Sequence, residues 1–343
     1  MTFIKKSCKK LTNNLVGGRS LHIVFYYPKK LPVKEYGGVE RAVVWLIKGL
    51  SELGHKITFI GPEGSSVARA KNVFVPFVDV KVPAPDAIKK LIPKDSDIIH
   101  FNNDSLFENN YGLPSIVTVY GTVSNMKGLD ARYCFISGAQ KKYWGGQEQN
   151  PVVHIGLDQS EYIYRKEKDD YFLFLSRVDW DVKGVDWAIS AANKAGVRLI
   201  IAGNVHNIKF VNSYWRGYLK KQLSDRIHYV GPVGGELKAM LLAKARALIF
   251  PTRWCEAFGI VTIEALASGT PVITTHNGAM PEIIEHAKTG FLCKDVNEMT
   301  VAIKNIGSLK AEDCLESVNE KFNHLRMAKD YTKLYVNLLE RQK

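Results

Sequence analysis

The chain has 343 residues, 46% hydrophobic and 10% aromatic, which is enough for two ordinary domains and too apolar for a disordered chain. Its net charge of +13 is uneven: residues 1–150 carry 21 Lys and Arg against 12 Asp and Glu, residues 151–343 carry 26 against 22. No apolar run reaches the length of a membrane span, and five scattered cysteines without a Cys-x-x-Cys pair fit reduced thiols, so a cytoplasmic protein is expected.

In Met1–Ser20 the residues Ile4, Cys8, Leu11 and Leu15 recur at helical spacing beside Lys5, Lys6, Lys9 and Lys10. This basic leader reads as a short interfacial helix or, more plainly, as a frayed lead-in to the first strand. Its lysines break the apolar stretch that a signal peptide needs. Leu21–Tyr27 is the first predicted strand, ended by Pro28. Gly38 opens a helix to Leu53, with Val39, Val43, Leu46, Leu50 and Leu53 along one face. Gly54-His55 stops it, and Lys56–Ile60 is the second strand. Val73–Val75, Ile98–Phe101, Ile116–Val119 and Arg132–Ile136 read as further strands.

After a polar linker at Pro151–Asp169 the pattern restarts. Tyr171–Ser176 is a strand, Val185–Ala195 a helix, and Arg198–Ala202 and Ile227–Val230 are strands, with a helix at Glu236–Ala243. Ala247–Phe250 is a short buried strand stopped by Pro251. Ala257–Ser268 reads as a helix closed by Gly269, and Pro271–Thr275 as the next strand. Alternating strands and helices predict an α/β chain with parallel sheets and crossovers.

The stretch from Ile249 to Thr275 sets Glu256 and Glu264 eight positions apart across the start of a helix. Glu256 falls in a loop at the carboxyl end of a strand, where open α/β sheets place ligands. Free N–H groups around Phe258, Gly259 and Ile260 suit an anion at a helix start. Glu264 follows about one turn later and can face the same crevice. The run Trp254-x-Glu256-x-Phe258-Gly259, then Glu264-Ala265 and Gly269-Thr270-Pro271-Val272, resembles the signature of retaining glycosyltransferases of the GT-B fold, family four (glycosyl transferases group 1).

That resemblance implies two Rossmann-like domains with parallel sheets facing across a cleft. The corresponding division is a basic leader 1–20, an acceptor-side domain 21–155 and a nucleotide-sugar-binding domain 156–325. A last helix, 326–343, returns to the first domain. The implied reaction moves a sugar from a nucleotide diphosphate sugar to a glycan, lipid-linked or small-molecule acceptor, with no cofactor and no metal. Glu264 is expected to hold the ribose hydroxyls, since a carboxylate accepts two hydrogen bonds from a vicinal diol. Glu256 is expected to hold donor-sugar hydroxyls. Arg177 and Lys183, in Ser176-Arg177-Val178-Asp179-Trp180-Asp181-Val182-Lys183-Gly184, would clamp the leaving diphosphate, where fixed cations stabilise developing charge. Gly37 and Gly38 would face the donor phosphates, and Gly203 with Val233 of Gly231–Gly235 the nucleobase side. Gly278–Glu282 would shape the cleft wall.

Asp95-Ser96-Asp97 and Asp179-Trp180-Asp181 match the Asp-x-Asp pair of another glycosyltransferase fold, but without supporting context they read as chance. Family members commonly have a histidine in Thr-x-His-Gly where this chain has Thr118-Val119-Tyr120-Gly121, so histidine-like chemistry there is in doubt. Tyr120, Asn102 and Asn103 are candidate sugar or acceptor contacts, whereas His100 reads as a satisfied core residue. Nucleic acid is not an expected partner, for no zinc-finger spacing, RNA-binding aromatic run or base-reading basic helix occurs. An anionic membrane surface suits the basic first half better. The alternatives are a non-catalytic nucleotide-sugar-binding partner of another transferase and a GT-B nucleotide-sugar epimerase.

Overall fold

A computed structural model describes residues 19–33, 37–75, 83–121, 129–205, 217 and 219–341. The leader up to residue 18 therefore lies outside the described residues. The chain divides into two compact units, one holding residues 37–157 and 323–343 with the N-terminal segment, the other residues 158–322.

In the first unit the strands are β1 His22–Tyr26, β2 Lys56–Pro62, β3 Lys71–Val75, β4 Ile98–Phe101, β5 Ser115–Val119 and β6 Tyr133–Phe135, all paired parallel in the order β3-β2-β1-β4-β5-β6. Helices α1 Gly38–Glu52, α2 Pro85–Leu91 and α3 Gly138–Tyr143 belong to the same unit. The apolar face of α1 buries Val43, Trp45, Leu46, Ile47 and Leu50. Parallel strands covered on both faces read as continuous apolar runs, and His22-Ile-Val-Phe-Tyr26 is buried at every position.

The second unit repeats the plan with β7 Phe172–Leu175, β8 Leu199–Ala202, β9 Ile227–Tyr229, β10 Leu248–Phe250, β11 Val272–Thr275 and β12 Gly290–Cys293, in the order β12-β11-β10-β7-β8-β9. Its helices are α4 Val185–Ala195, α5 Gly235–Lys244, α6 Ile260–Ala267, α7 Met280–Ile283, α8 Val296–Asn305 and α9 Ala311–Lys321. Both sheets thus have the doubly wound order in which the direction of strand addition reverses beside the first strand. The crevice at that reversal is where such sheets bind ligands.

The last helix, α10 His324–Glu340, belongs to the first unit and starts two residues before the expected position 326, capped by the Asn323 side chain on the Arg326 N–H. A Cβ on Gly49 of α1 would lie 2.6 Å from the His324 carbonyl oxygen, so the two helices approach as closely as glycine allows. Tyr331 and Tyr335 of α10 enter a buried polar network: Tyr335 O–H meets His100 Nδ1 at 2.6 Å, Thr118 meets His100 Nε2 at 2.7 Å, and Tyr331 meets Thr118 at 2.6 Å. His100 is a satisfied core residue, and burial lowers its pKa to about 3. Among the described residues no helix is long and apolar enough to cross a membrane.

Candidate active site

Two loops meet beyond the carboxyl ends of β7 and β10, the neighbouring strands at the reversal of the second sheet. The first, Ser176 to Gly184, contains a 3-10 turn at Asp181–Lys183. Gly184 ends it at φ 76°, and a Cβ there would fall 2.1 Å from the Pro251 carbonyl oxygen. Only glycine lets the loops touch there. Arg253 fastens them: its N–H donates to the Val182 carbonyl at 2.7 Å, and its guanidinium to the Asp181 carbonyl at 2.5 Å and the Asp186 carboxylate at 2.9 Å.

This docking brings Lys183 Nζ to 2.5 Å from Glu256 Oε2, each side chain 13% exposed. So dry a pair is little screened by salt. The same ammonium lies 5.2 Å from the Trp180 ring centroid and 5.6 Å from that of Phe250. The Arg177 guanidinium lies 5.1 Å from the Trp180 centroid, so both expected phosphate cations share one indole. Arg177 also pairs with Asp179 at 3.3 Å. Asp95 and Asp97 bind Lys56 and Arg19, so each Asp-x-Asp match has side chains committed to cations. Among the described residues no three His, Cys, Asp or Glu side chains gather as a metal-binding group.

Glu256 is braced from the loop after β11. Ala279 N–H donates to the Glu256 carbonyl at 2.9 Å. Gly278, at φ 59°, sits so close that a Cβ would fall 2.2 Å from the Glu256 nitrogen. Thr275 Oγ1 and Asn277 Nδ2 donate to the Thr252 carbonyl at 2.5 and 2.9 Å. The start of the Gly278–Glu282 stretch therefore supports the backbone of Glu256.

Helix α6 begins at Ile260, later than the expected Ala257, with Gly259 as N-cap at φ 80° and no side-chain cap. Phe258 turns into the core, 2% exposed and edge-on to Phe322, so its polar contacts are those of its backbone. One turn further on, Glu264 is buried, and its carboxylate is already held: Lys238 Nζ of α5 lies 2.6 Å from both oxygens and the Tyr162 hydroxyl donates at 2.8 Å. Neither partner is adjacent in sequence, at 26 and 102 residues' separation. No local spacing signals them; the fold alone supplies them.

Gly203, after β8, donates its N–H to the Gly231 carbonyl at 2.9 Å and accepts from the Tyr229 hydroxyl at 2.8 Å. Val233 is half-buried just before α5, whose N-cap is Gly234.

Gly37, Gly38, Asn102, Asn103 and Tyr120 belong to the other unit. A Cβ on Gly37 would lie 2.8 Å from Glu40 Oε2, and Glu40 also accepts from Tyr27 at 3.1 Å and Lys29 at 3.2 Å. The start of α1 thus already faces a carboxylate, the charge its dipole favours. The Tyr120 hydroxyl reaches Asn102 Oδ1 at 3.3 Å, long for an O–H···O bond. Burial and Cys134 raise the Tyr120 pKa, leaving it a neutral donor. Asn103 Oδ1 accepts the Ser105 N–H at 2.9 Å, capping the turn Asp104–Leu106.

The family model described as glycosyl transferases group 1 matches residues 158–321, nearly the whole second unit. The chain is 30% identical over 261 residues to N-acetyl-alpha-D-glucosaminyl L-malate synthase of Bacillus anthracis, covering 73% of this chain and 62% of that protein. It spans about half the length of the next curated relatives, 51% and 48%. Among solved structures it is similar to AviGT4, a glycosyltransferase involved in avilamycin A biosynthesis, with TM-score 0.77, 25% identity and coverage of 94% of this chain and 98% of that one. The fold is also that of Anabaena HepE, solved with UDP and glucose, at TM-score 0.69, 16% identity and coverage of 92% and 100%. Two six-stranded parallel sheets of doubly wound order, a signature loop docked at the second reversal and these likenesses agree: residues 158–321 form a glycosyl transferases group 1 domain, and the chain has the GT-B fold.

Proposed function

We propose that this chain transfers a glycosyl group from a UDP- or GDP-linked sugar to an acceptor hydroxyl, keeping the donor's anomeric configuration and using no metal or other cofactor. The observation that carries the reading is the Lys183–Glu256 pair, with Arg177 on the same Trp180 ring, beside the start of α6. Charge develops on the diphosphate as the glycosyl bond breaks, and Arg177, Lys183 and the Gly259–Ile260 amides suit that charge. Glu264, one turn along α6, suits the ribose diol. Glu256, held by Lys183, suits hydroxyls of the transferred sugar.

In the proposed step the acceptor oxygen bonds to the anomeric carbon on the face from which the diphosphate leaves. The carbon–oxygen bond to phosphate breaks, and the acceptor proton passes to the departing phosphate oxygen. The ion pair to Lys183 favours this over Glu256 acting as a nucleophile, because an ammonium at 2.5 Å withdraws the electron pair a nucleophile needs. Acceptors are a sugar, a lipid-linked glycan or a small molecule, and the basic first half suits an approach to an anionic membrane surface. Incubation with UDP- and GDP-sugars in excess EDTA tests the reaction: nucleoside diphosphate release at the metal-replete rate is expected. Loss of all turnover in EDTA, restored by manganese, contradicts the metal-free mechanism.

A further inference from the structure

Resting on the assignment of Glu264 to the donor ribose, we propose that Lys238 and Tyr162 are positioning residues that hold the Glu264 carboxylate in the orientation that grips the 2′- and 3′-hydroxyls. Lys238 Nζ stands 2.6 Å from both Glu264 oxygens and the Tyr162 hydroxyl 2.8 Å from Oε1. The Lys238 and Glu264 side chains are 15% and 3% exposed, so water does little to steady the carboxylate. A carboxylate has about four lone-pair sites. The ammonium on both oxygens and the phenol on Oε1 fix its plane.

The geometry ties three segments to one carboxylate: α5 through Lys238, the stretch after the unit boundary through Tyr162, and α6 through Glu264 itself. The Gln159 amide nearby donates to the Ala267 carbonyl at 2.9 Å, so the Tyr162 segment is anchored to the end of α6 independently of the carboxylate. Truncating Lys238 removes the counter-ion of a buried charge, the costly way to break such a pair. Arginine keeps the charge but exchanges a point donor for a planar fork, so it is expected to restore the grip in part.

A pair that merely fastens α5 to α6 predicts a lower melting temperature and nothing selective for ribose. A positioning pair predicts loss of discrimination between ribose and deoxyribose. The full chain and its Lys238→Met, Lys238→Arg, Tyr162→Phe and Glu264→Gln variants are titrated with UDP, GDP and their 2′-deoxy forms. The readout is the ratio of Kd values, deoxy over ribo, which does not depend on the fraction of protein folded.

The wild type is expected to favour the ribonucleotide about tenfold, the scale of one charge-assisted hydrogen bond. Lys238→Met should bring the ratio close to one, Lys238→Arg should recover part of it, and Tyr162→Phe should lower it about threefold. An unchanged ratio in Lys238→Met, beside a collapsed ratio in Glu264→Gln, overturns the positioning role and leaves the ribose assignment standing. Tighter ribonucleotide binding by Lys238→Met also overturns it, since Lys238 then competes with the ligand. An unchanged ratio in Glu264→Gln, or no binding of either nucleotide by the wild type, overturns the assignment beneath it.

Discussion

Glu256 and Glu264 lie on either side of the start of α6, yet they meet different partners. Glu256 pairs with Lys183 of the loop after β7, and Glu264 with Lys238 and Tyr162. Glu256→Gln keeps the volume but loses the charge that orients Lys183. Turnover should fall about a hundred- to thousandfold, the range for losing one preorganised polar contact at a reacting centre. Calorimetric affinity for the free nucleoside diphosphate should stay near wild type, and an equal loss in both would move Glu256 from the sugar to the nucleotide. At this scale the two motifs that the sequence singles out do meet: Lys183 pairs with Glu256 and shares the Trp180 ring with Arg177. The sequence is silent on Lys238, Tyr162 and Arg253, whose partners are reached through tertiary contacts. In the first unit the Asn103 side chain accepts a local bond from Ser105, and the Asn102 side chain faces Tyr120.

Among the elements, the strands are the most legible, because parallel strands buried on both faces are short apolar runs closed by Pro, Gly or polar residues. Val185–Ala195 is a helix over the very residues that periodicity picks out. The start of α6 differs from the expected one because Ala257 is a good helix former, while Gly259 at φ 80° interrupts the helical backbone. The residues before it are spent on the site. Helix α8 has a start signal in sequence, for Asp295 accepts the Asn297 and Glu298 N–H groups and Glu298 reaches back to the Lys294 N–H, a variant of the capping box. Loop docking gives this scale its prediction. Gly184→Ala puts a side chain in the left-handed region, costing about 1–2 kcal/mol, and drives its Cβ against the Pro251 carbonyl. The melting temperature and turnover should fall together. Unchanged turnover would show that contact of the two loops is not needed for catalysis.

Acid sensitivity belongs to the molecule as a whole and has its source in the first unit. Burial lowers His55 to about 4 and His100 to about 3; each bonds through both ring nitrogens, His55 to the Leu21 N–H and Thr332, His100 to Tyr335 and Thr118. Below the ordinary histidine value of about 6.5 the unfolded chain takes up protons that the folded one refuses, so stability is full above that pH and drains away beneath it. From pH 7 to pH 5 each histidine should cost about 2 kcal/mol. Urea midpoints that match at the two pH values would contradict this.

The charge asymmetry makes a second prediction for the whole chain. Binding to anionic vesicles should weaken with salt, since exposed charges are screened over about 10 Å at 0.1 M. Equal binding to neutral vesicles, or none to either, would exclude the membrane surface as a partner.

The central claim, glycosyl transfer with retention, is tested most directly by proton NMR of the sugar as it leaves an α-linked UDP or GDP donor, recorded before mutarotation. Attack on the face the diphosphate vacates predicts that the first anomeric signal is α, in the transfer product or in sugar released to water. A first signal from the β-anomer would contradict retention, and with it the proposed roles of Glu256, Lys183 and Arg177.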